Sequence, residues 1–294
     1  MPFSDYSFNP VDYLSYTSVY IETFFNDTPI TKASGFFYKK QDQIYLVTNW
    51  HVLSGRSHIA DSNGIYQPLH KRGAIPNKVR AYIYGWSNNS NGEISVESGI
   101  ACEFMLIDNN ETALYKTKEY TTSEYIDIAI LPINITYNSL GKTKRFLCVN
   151  DIYFKKFESK DIIHPSDDVF ILGYPFGKRD ESGTPIWKRG SIASNLTNRL
   201  KFYIDTSTRS GMSGSPVFFI HRDDTAWLRY KDKDVFEEKL YSIEFIGVYS
   251  GRITSEQCIS GDSFITIKET DIDIAAQLGI VWKKDLIDEI IGVN

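Results

Sequence analysis

Cysteine is scarce in this chain. Its three residues, Cys102, Cys148 and Cys258, stand singly and form no CxxC pair. Neither a disulfide framework nor a zinc site is therefore indicated, and a reducing, cytoplasmic setting is the expectation. Basic runs are missing too, and the net charge is only -5. A protein that neutralises a phosphate backbone needs a cationic stripe, so nucleic acid is not an expected partner. No apolar window approaches the length that spans a bilayer. The opening residues, Met1 to Tyr6, carry no cationic segment ahead of an apolar one, so no export signal can be read and no membrane partner is expected.

Aromatic residues are plentiful. The 294 residues include 19 Tyr and 18 Phe, with 42% hydrophobic and 23% charged residues overall, a soluble globular profile tilted toward strands. Strand-like runs recur at Thr17–Phe25, Gly35–Tyr38, Ile44–Thr48, Val79–Trp86, Ile126–Ile133, Val169–Tyr174, Phe202–Ile204, Pro216–Ile220, Phe245–Tyr249 and Phe264–Ile267. Many short strands and few helical periods predict an all-β sandwich or barrels. Trp86–Gly92 reads as an exposed turn, and the charged stretch His221–Lys239 as a solvated loop between strands. The Lys- and Asp-bearing segment Leu140–Asp161 lacks alternation and is read as a crossover, with a boundary near residue 145 separating units 1–145 and 146–294. Helices are expected only late, at Ile272–Leu278 and at Lys284–Ile291, where Leu286, Ile287, Ile290 and Ile291 share one face that should pack on the second unit.

Three segments could carry chemistry. A serine hydroxyl needs a base to take its proton and donors to hold the oxyanion that its attack creates. In Ser210-Gly211-Met212-Ser213-Gly214-Ser215-Pro216, glycines flank Ser213, which lets the backbone turn tightly and aim the N–H groups of Gly211 and Ser213 at one point. Ser215 is the weaker choice because Pro216 follows it at the start of an apolar run. Among five histidines, His51 stands at the end of the strand-like run Ile44–Thr48, on a rigid element, whereas the others sit in polar surroundings. Asp127 interrupts the apolar run Ile126–Pro132, and a carboxylate buried there requires N–H partners. Taken alone, each segment is equally compatible with a turn, a surface histidine or a capping aspartate. Together they stand in the order His, Asp, Ser, with enough chain between them to lie on different strands.

Thr48-Asn49-Trp50-His51-Val52, Asp127-Ile128-Ala129-Ile130 and Gly211-Met212-Ser213-Gly214-Ser215-Pro216 resemble the three motifs of the chymotrypsin-like (trypsin-fold) serine peptidases, particularly the bacterial trypsin-like peptidase group. Phe170–Pro175 and Lys188–Ile192 are also similar to that group. The resemblance implies two packed Greek-key β-barrels, the first carrying His51 and Asp127 and the second Ser213 plus the helical tail. It further implies a serine endopeptidase in which Ser213 attacks, His51 moves the proton, Asp127 orients His51, and the N–H groups of Gly211 and Ser213 form the oxyanion hole. No cofactor or metal is implied.

Two positions depart from the zymogen-activated members. Met212 replaces the acidic residue that pairs with a newly cut N-terminus, and no Ile-Val-Gly-Gly-like terminus is found, so a working form without cleavage is expected. The family's specificity pocket would be floored by Ser207, with Thr208 beside it and Tyr249, Ser250, Gly251 and Arg252 on the opposite wall; none of these is acidic, which disfavours a demand for Lys or Arg. After Lys268 too little chain remains for a peptide-binding accessory domain, so a stand-alone protease domain is expected. The expected partners are a polypeptide substrate and, for an intracellular protease without a zymogen switch, either narrow specificity or a regulatory protein. The competing reading is a catalytically silent protease fold that binds peptides or partners. An α/β-hydrolase esterase would place Ser before the acid and His, with alternating helices, and fits neither the order nor the helix content.

Overall fold

The computed structural model describes residues 14–88, 94–122, 124–134, 147–150, 163–198, 200–222, 241–252 and 277–292. They are mostly β, in two antiparallel bodies. The first is a six-stranded sheet built from β1 (Ser18–Phe25), β2 (Thr28–Lys40), β3 (Gln43–Thr48), β4 (Lys78–Asn88), β5 (Ile94–Met105) and β8 (Ala129–Ile133), in the order β5-β4-β1-β2-β3-β8. Its ladder stays open between β5 and β8, so this body is a half-barrel. Part of the gap is bridged by the chain after β5, where Lys116 pairs with Ile130 of β8. The exposed Pro132 sits on that edge strand, where its missing N–H takes nothing from a ladder. A two-stranded ribbon, β6 (Glu119–Thr121) and β7 (Glu124–Tyr125), precedes β8.

The second body is a closed barrel of β9 (Asp168–Gly173), β10 (Ile186–Ile192), β11 (Lys201–Asp205), β12 (Pro216–Arg222), β13 (Tyr241–Arg252) and β14 (Leu278–Lys283), in the order β10-β11-β14-β13-β12-β9. With a short helix at its end, this is the double-barrel architecture of chymotrypsin-like proteins. Alternation along β11, where Phe202 and Ile204 are buried and Tyr203 and Asp205 are exposed, shows how period-two patterning points one face inward.

The bodies share one core. Phe36, Val47 and Ile130 of the first pack with Leu172, Phe218, Val248 and Trp282 of the second, and the C-terminal helix α2 (Asp285–Gly292) adds Leu286, Ile287, Ile290 and Ile291. The tail packs on the second unit, in one cluster with Leu172, Phe218, Val248 and Trp282, and it also meets the first: Lys116 Nζ donates to Ile291 O at 2.8 Å, and Lys40 and Lys118 pair with Asp288 and Glu289. An amphipathic helix settles wherever apolar surface is open, and here that is the seam between the sheets.

One expectation about the strands changes. Asp127 lies in a bend before β8 and not within a strand, because Asn49 Nδ2 takes its carbonyl at 2.7 Å and Ile128 N bonds Ile126 O at 2.7 Å. Strands β5, β10 and β14 carry Glu, Lys, Arg or Gly at positions that blur their alternation, and pairing with neighbours defines them. The run Phe264–Ile267 lies outside the described residues, as does most of the helix expected at Ile272–Leu278, although Leu278 itself opens β14.

Candidate active site

His51 is carried by a one-turn helix, α1 (Trp50–Ser54), that follows β3 directly. Trp50 stacks on Tyr125 with centroids 4.5 Å apart and planes at 10°, and Tyr66 closes edge-on against both. Because Tyr125 is two residues before Asp127, this aromatic trio sets the helix bearing His51 against the bend bearing Asp127. Asp127 is fully buried, and its carboxylate grips His51 twice: Oδ1 accepts the backbone N–H at 2.9 Å and Oδ2 meets Nδ1 at 2.8 Å. The His51 side chain remains 20% exposed, so its other edge faces outward.

Ser250 completes the shell of the carboxylate. The ladder between β13 and β14 slips between Tyr249 and Gly251, and this bulge turns Ser250 out of the pairing pattern toward Asp127, whose Oδ2 accepts from the Ser250 hydroxyl. Burial pushes the Asp127 carboxyl upward, but the neighbouring His51 and His58 rings and the hydrogen bonds from His51 and Ser250 outweigh it and hold the group well below the usual carboxylate range. His58, whose ring centroid is 6.4 Å from that of His51, has its own pKa lowered by burial. His51, His58 and Asp127 bring potential ligand atoms within 4.8 Å of one another.

Ser213 sits in the turn between β11 and β12, half-buried, with Oγ donating to Ser250 O at 3.1 Å. Among the described residues no hydrogen bond joins it to His51. The turn depends on two glycines. Gly211 has φ +94° and Gly214 φ +81°, and a methyl group at Gly211 would overlap Tyr174 O, while one at Gly214 would overlap Ser34 O and Thr48 Oγ1. Among the described residues, the N–H groups of Gly211 and Ser213 make no backbone hydrogen bond, which leaves two donors available on one turn. Ser215, immediately before β12, is fully buried.

Sequence reading overlooked what holds this turn. Ser34 of β2 donates its hydroxyl to Gly211 O at 2.8 Å, receives Tyr174 N on the same oxygen at 3.1 Å, and gives its backbone N–H to Ser213 O at 2.9 Å. Phe176 N donates to Ser210 O at 2.6 Å from a short turn, Pro175–Gly177, in which Phe176 itself has φ +55°. Met212 is fully buried in the barrel core, with its sulfur toward Gly173. A serine inside a strand gives no motif, so only the packing of the two bodies reveals it.

The description "trypsin-like peptidase domain" is that of a family model that matches residues 33–223, a span holding His51, Asp127 and Ser213. The chain belongs to that family. Peptidase is the activity class of this trypsin-like domain. The chain matches no curated protein in sequence. Two solved structures are similar to it: Rv3671c from M. tuberculosis H37Rv, a serine-to-alanine mutant in an inactive form, at 15% identity and TM-score 0.43, covering 96% of this chain and 88% of that one; and a serine endoprotease from Yersinia pestis at 14% identity and TM-score 0.44, covering 96% of this chain and 64% of that one.

The residues expected around the specificity pocket of the trypsin-like domain differ in exposure. Ser207 is exposed and donates to Gln277 Oε1. Thr208 is buried and its hydroxyl bonds that of Tyr249, which is also buried. Gly251 is half-buried, and Arg252 lies exposed at the end of β13.

Proposed function

We propose that the chain is a serine endopeptidase of the bacterial trypsin-like group, with Ser213 as nucleophile, His51 as general base and then general acid, and Asp127 as the group that fixes the imidazole. The observation that carries this reading is the doubly bonded Asp127–His51 pair, 2.9 and 2.8 Å, beside a glycine-flanked serine. With Nδ1–H held by a buried carboxylate, Nε2 is left unprotonated to take the Ser213 proton, and the imidazolium that forms stays next to a negative charge. The N–H groups of Gly211 and Ser213 then receive the oxyanion of the tetrahedral intermediate. Collapse of that intermediate transfers the proton from His51 to the leaving amine and leaves an acyl-Ser213, which water attacks by the same route.

Ser213 must turn from Ser250 O toward His51 Nε2 for this chemistry. An extended substrate lying along the end of β13 supplies the reason to turn: a substrate N–H donated to Ser250 O displaces the serine hydroxyl from that acceptor. Ser34, Tyr174, Phe176 and Met212 hold the oxyanion turn in place of an ion pair to a cut terminus, so the enzyme works without N-terminal cleavage. The cytoplasm is the proposed setting, and the proposed partners are a polypeptide substrate and a regulatory protein.

A fluorophosphonate probe together with Ser213→Ala tests the proposal. Wild-type protein is expected to be labelled and to cleave peptides, and the variant to lose both, by on the order of a millionfold in rate. Peptide hydrolysis that survives Ser213→Ala, or a wild type that neither labels nor cleaves, as a silent binding module would not, overturns it.

A further inference from the structure

Substrate preference is written in how two walls of the site meet. The stretch from Thr206 to Ser213 and the end of β13 from Val248 to Arg252 face each other beside Ser213. Between them, Tyr249 reaches across and its hydroxyl bonds that of Thr208, both residues only 1% exposed. The ring cannot swing aside. Its backbone is tied to the nucleophile turn on both sides, Gly214 N donating to Tyr249 O and Tyr249 N to Ser215 O, each at 2.9 Å. Its far edge lies on Gly279 of β14, where a methyl group would come within 2.6 Å of Cε2 and 3.2 Å of the hydroxyl oxygen. Glycine at 279 therefore makes the room that the phenol takes. Around it lie Ile204, Met212 and Val281, apolar members of the same barrel core. Burial raises the phenol to about 12, so its hydroxyl stays neutral and offers no charge to a substrate.

We propose, resting on the serine-peptidase reading above, that Tyr249 fills the space a substrate side chain would enter next to the scissile bond, and that the enzyme therefore cleaves after small residues, Gly, Ala or Ser. A large side chain there would have to displace a ring pinned at both ends. A charged one would lose its water beside a neutral phenol already satisfied by Thr208. A close-packed site discriminates by size because single methylenes are felt, at roughly tenfold or more each.

The test uses the full chain and peptides that differ only in the residue before the cleaved bond: Gly, Ala, Ser, Leu, Phe, Lys and Glu. Wild-type kcat/KM is expected to be at least tenfold higher for the three small residues than for the other four. Tyr249→Val is expected to raise Leu and Phe at least tenfold relative to Ala, while Thr208→Val, which keeps the ring, retains the small-residue ranking. Wild-type protein that is labelled by a fluorophosphonate and cleaves after Leu, Phe, Lys or Glu as fast as after Ala overturns the pocket assignment alone. So does a Tyr249→Val variant with wild-type circular dichroism and an unchanged ranking; if that variant fails to fold, the wild-type ranking decides. Wild-type protein that neither labels nor cleaves any peptide overturns the serine-peptidase reading and this assignment with it.

Discussion

The hydroxyl of Ser250 donates to Oδ2 of Asp127, the same oxygen that meets His51 Nδ1. One residue thus touches the buried carboxylate with its side chain and the Ser213 hydroxyl with its carbonyl.

Ser250→Ala removes a charge-assisted hydrogen bond from a fully buried acceptor. The expected loss of stability is about 1.5–3 kcal/mol, read by urea unfolding. A loss below about 0.5 kcal/mol would mean that water replaces the hydroxyl without penalty.

Asp127→Asn keeps the shape but presents an amide where the imidazole needs an acceptor. The proposed role predicts a fall in kcat of about ten-thousandfold with a folded protein. Pre-steady-state kinetics with a chromogenic ester would show a slowed acylation burst, and an unaltered burst would remove Asp127 from the mechanism.

Ser34→Ala leaves Gly211 O and Tyr174 N short of a partner inside the seam between the bodies. Stability should drop by about 1–3 kcal/mol. Because the change acts on the proposed oxyanion turn, kcat should fall roughly tenfold or more while KM moves little, and Ser34→Thr should restore part of it. Equal changes in kcat and KM would speak for a structural role only.

Gly211→Ala places a methyl group against Tyr174 O at φ +94°. Displacing one oxyanion donor typically costs about a hundredfold to a thousandfold in rate, and that is the loss expected in kcat. Ala at Gly64, also at positive φ but with nothing near its missing Cβ, serves as the strain-only control and should leave kcat unchanged.

Acid should weaken the fold through His58. Its folded pKa is lowered, chiefly by burial, against the attraction of Asp127 and Glu124 and with repulsion from His51 and Lys201. The unfolded chain therefore binds the proton first, at about pH 6.5, and stability falls as pH drops below that value. Asp127, whose folded pKa is depressed, keeps its contribution until far more acidic conditions. Melting temperatures from pH 8 to 5 should decline less steeply for His58→Asn than for wild type, and parallel slopes would contradict the assignment.

Period-two patterning and turn residues made the β architecture legible before any coordinates, since buried strand faces must be apolar whatever they pack against. The three catalytic candidates were legible for a similar reason: a glycine-flanked serine, a histidine after an apolar strand and a carboxylate inside an apolar run are each local anomalies. Strands such as β10 and β14 were not, because Gly190 and Gly279 serve the close approach of Thr206 and Tyr249 and weaken the pattern that would mark them. The placement of Asp127 in a bend and of the C-terminal helix on the seam also required the whole fold, as each depends on partners more than 70 residues away.

What the amino-acid order determined by itself was composition of the site: which residue types with the right chemistry are present, and in which sequence along the chain. Only the tertiary structure decided how they are held. Ser34, Ser250 and Tyr249 act through partners 177, 123 and 41 residues distant, and contacts at that separation leave no local trace in a sequence. Their effect arises where the two bodies pack on one another, which buries the carboxylate and sets the turn that carries Ser213.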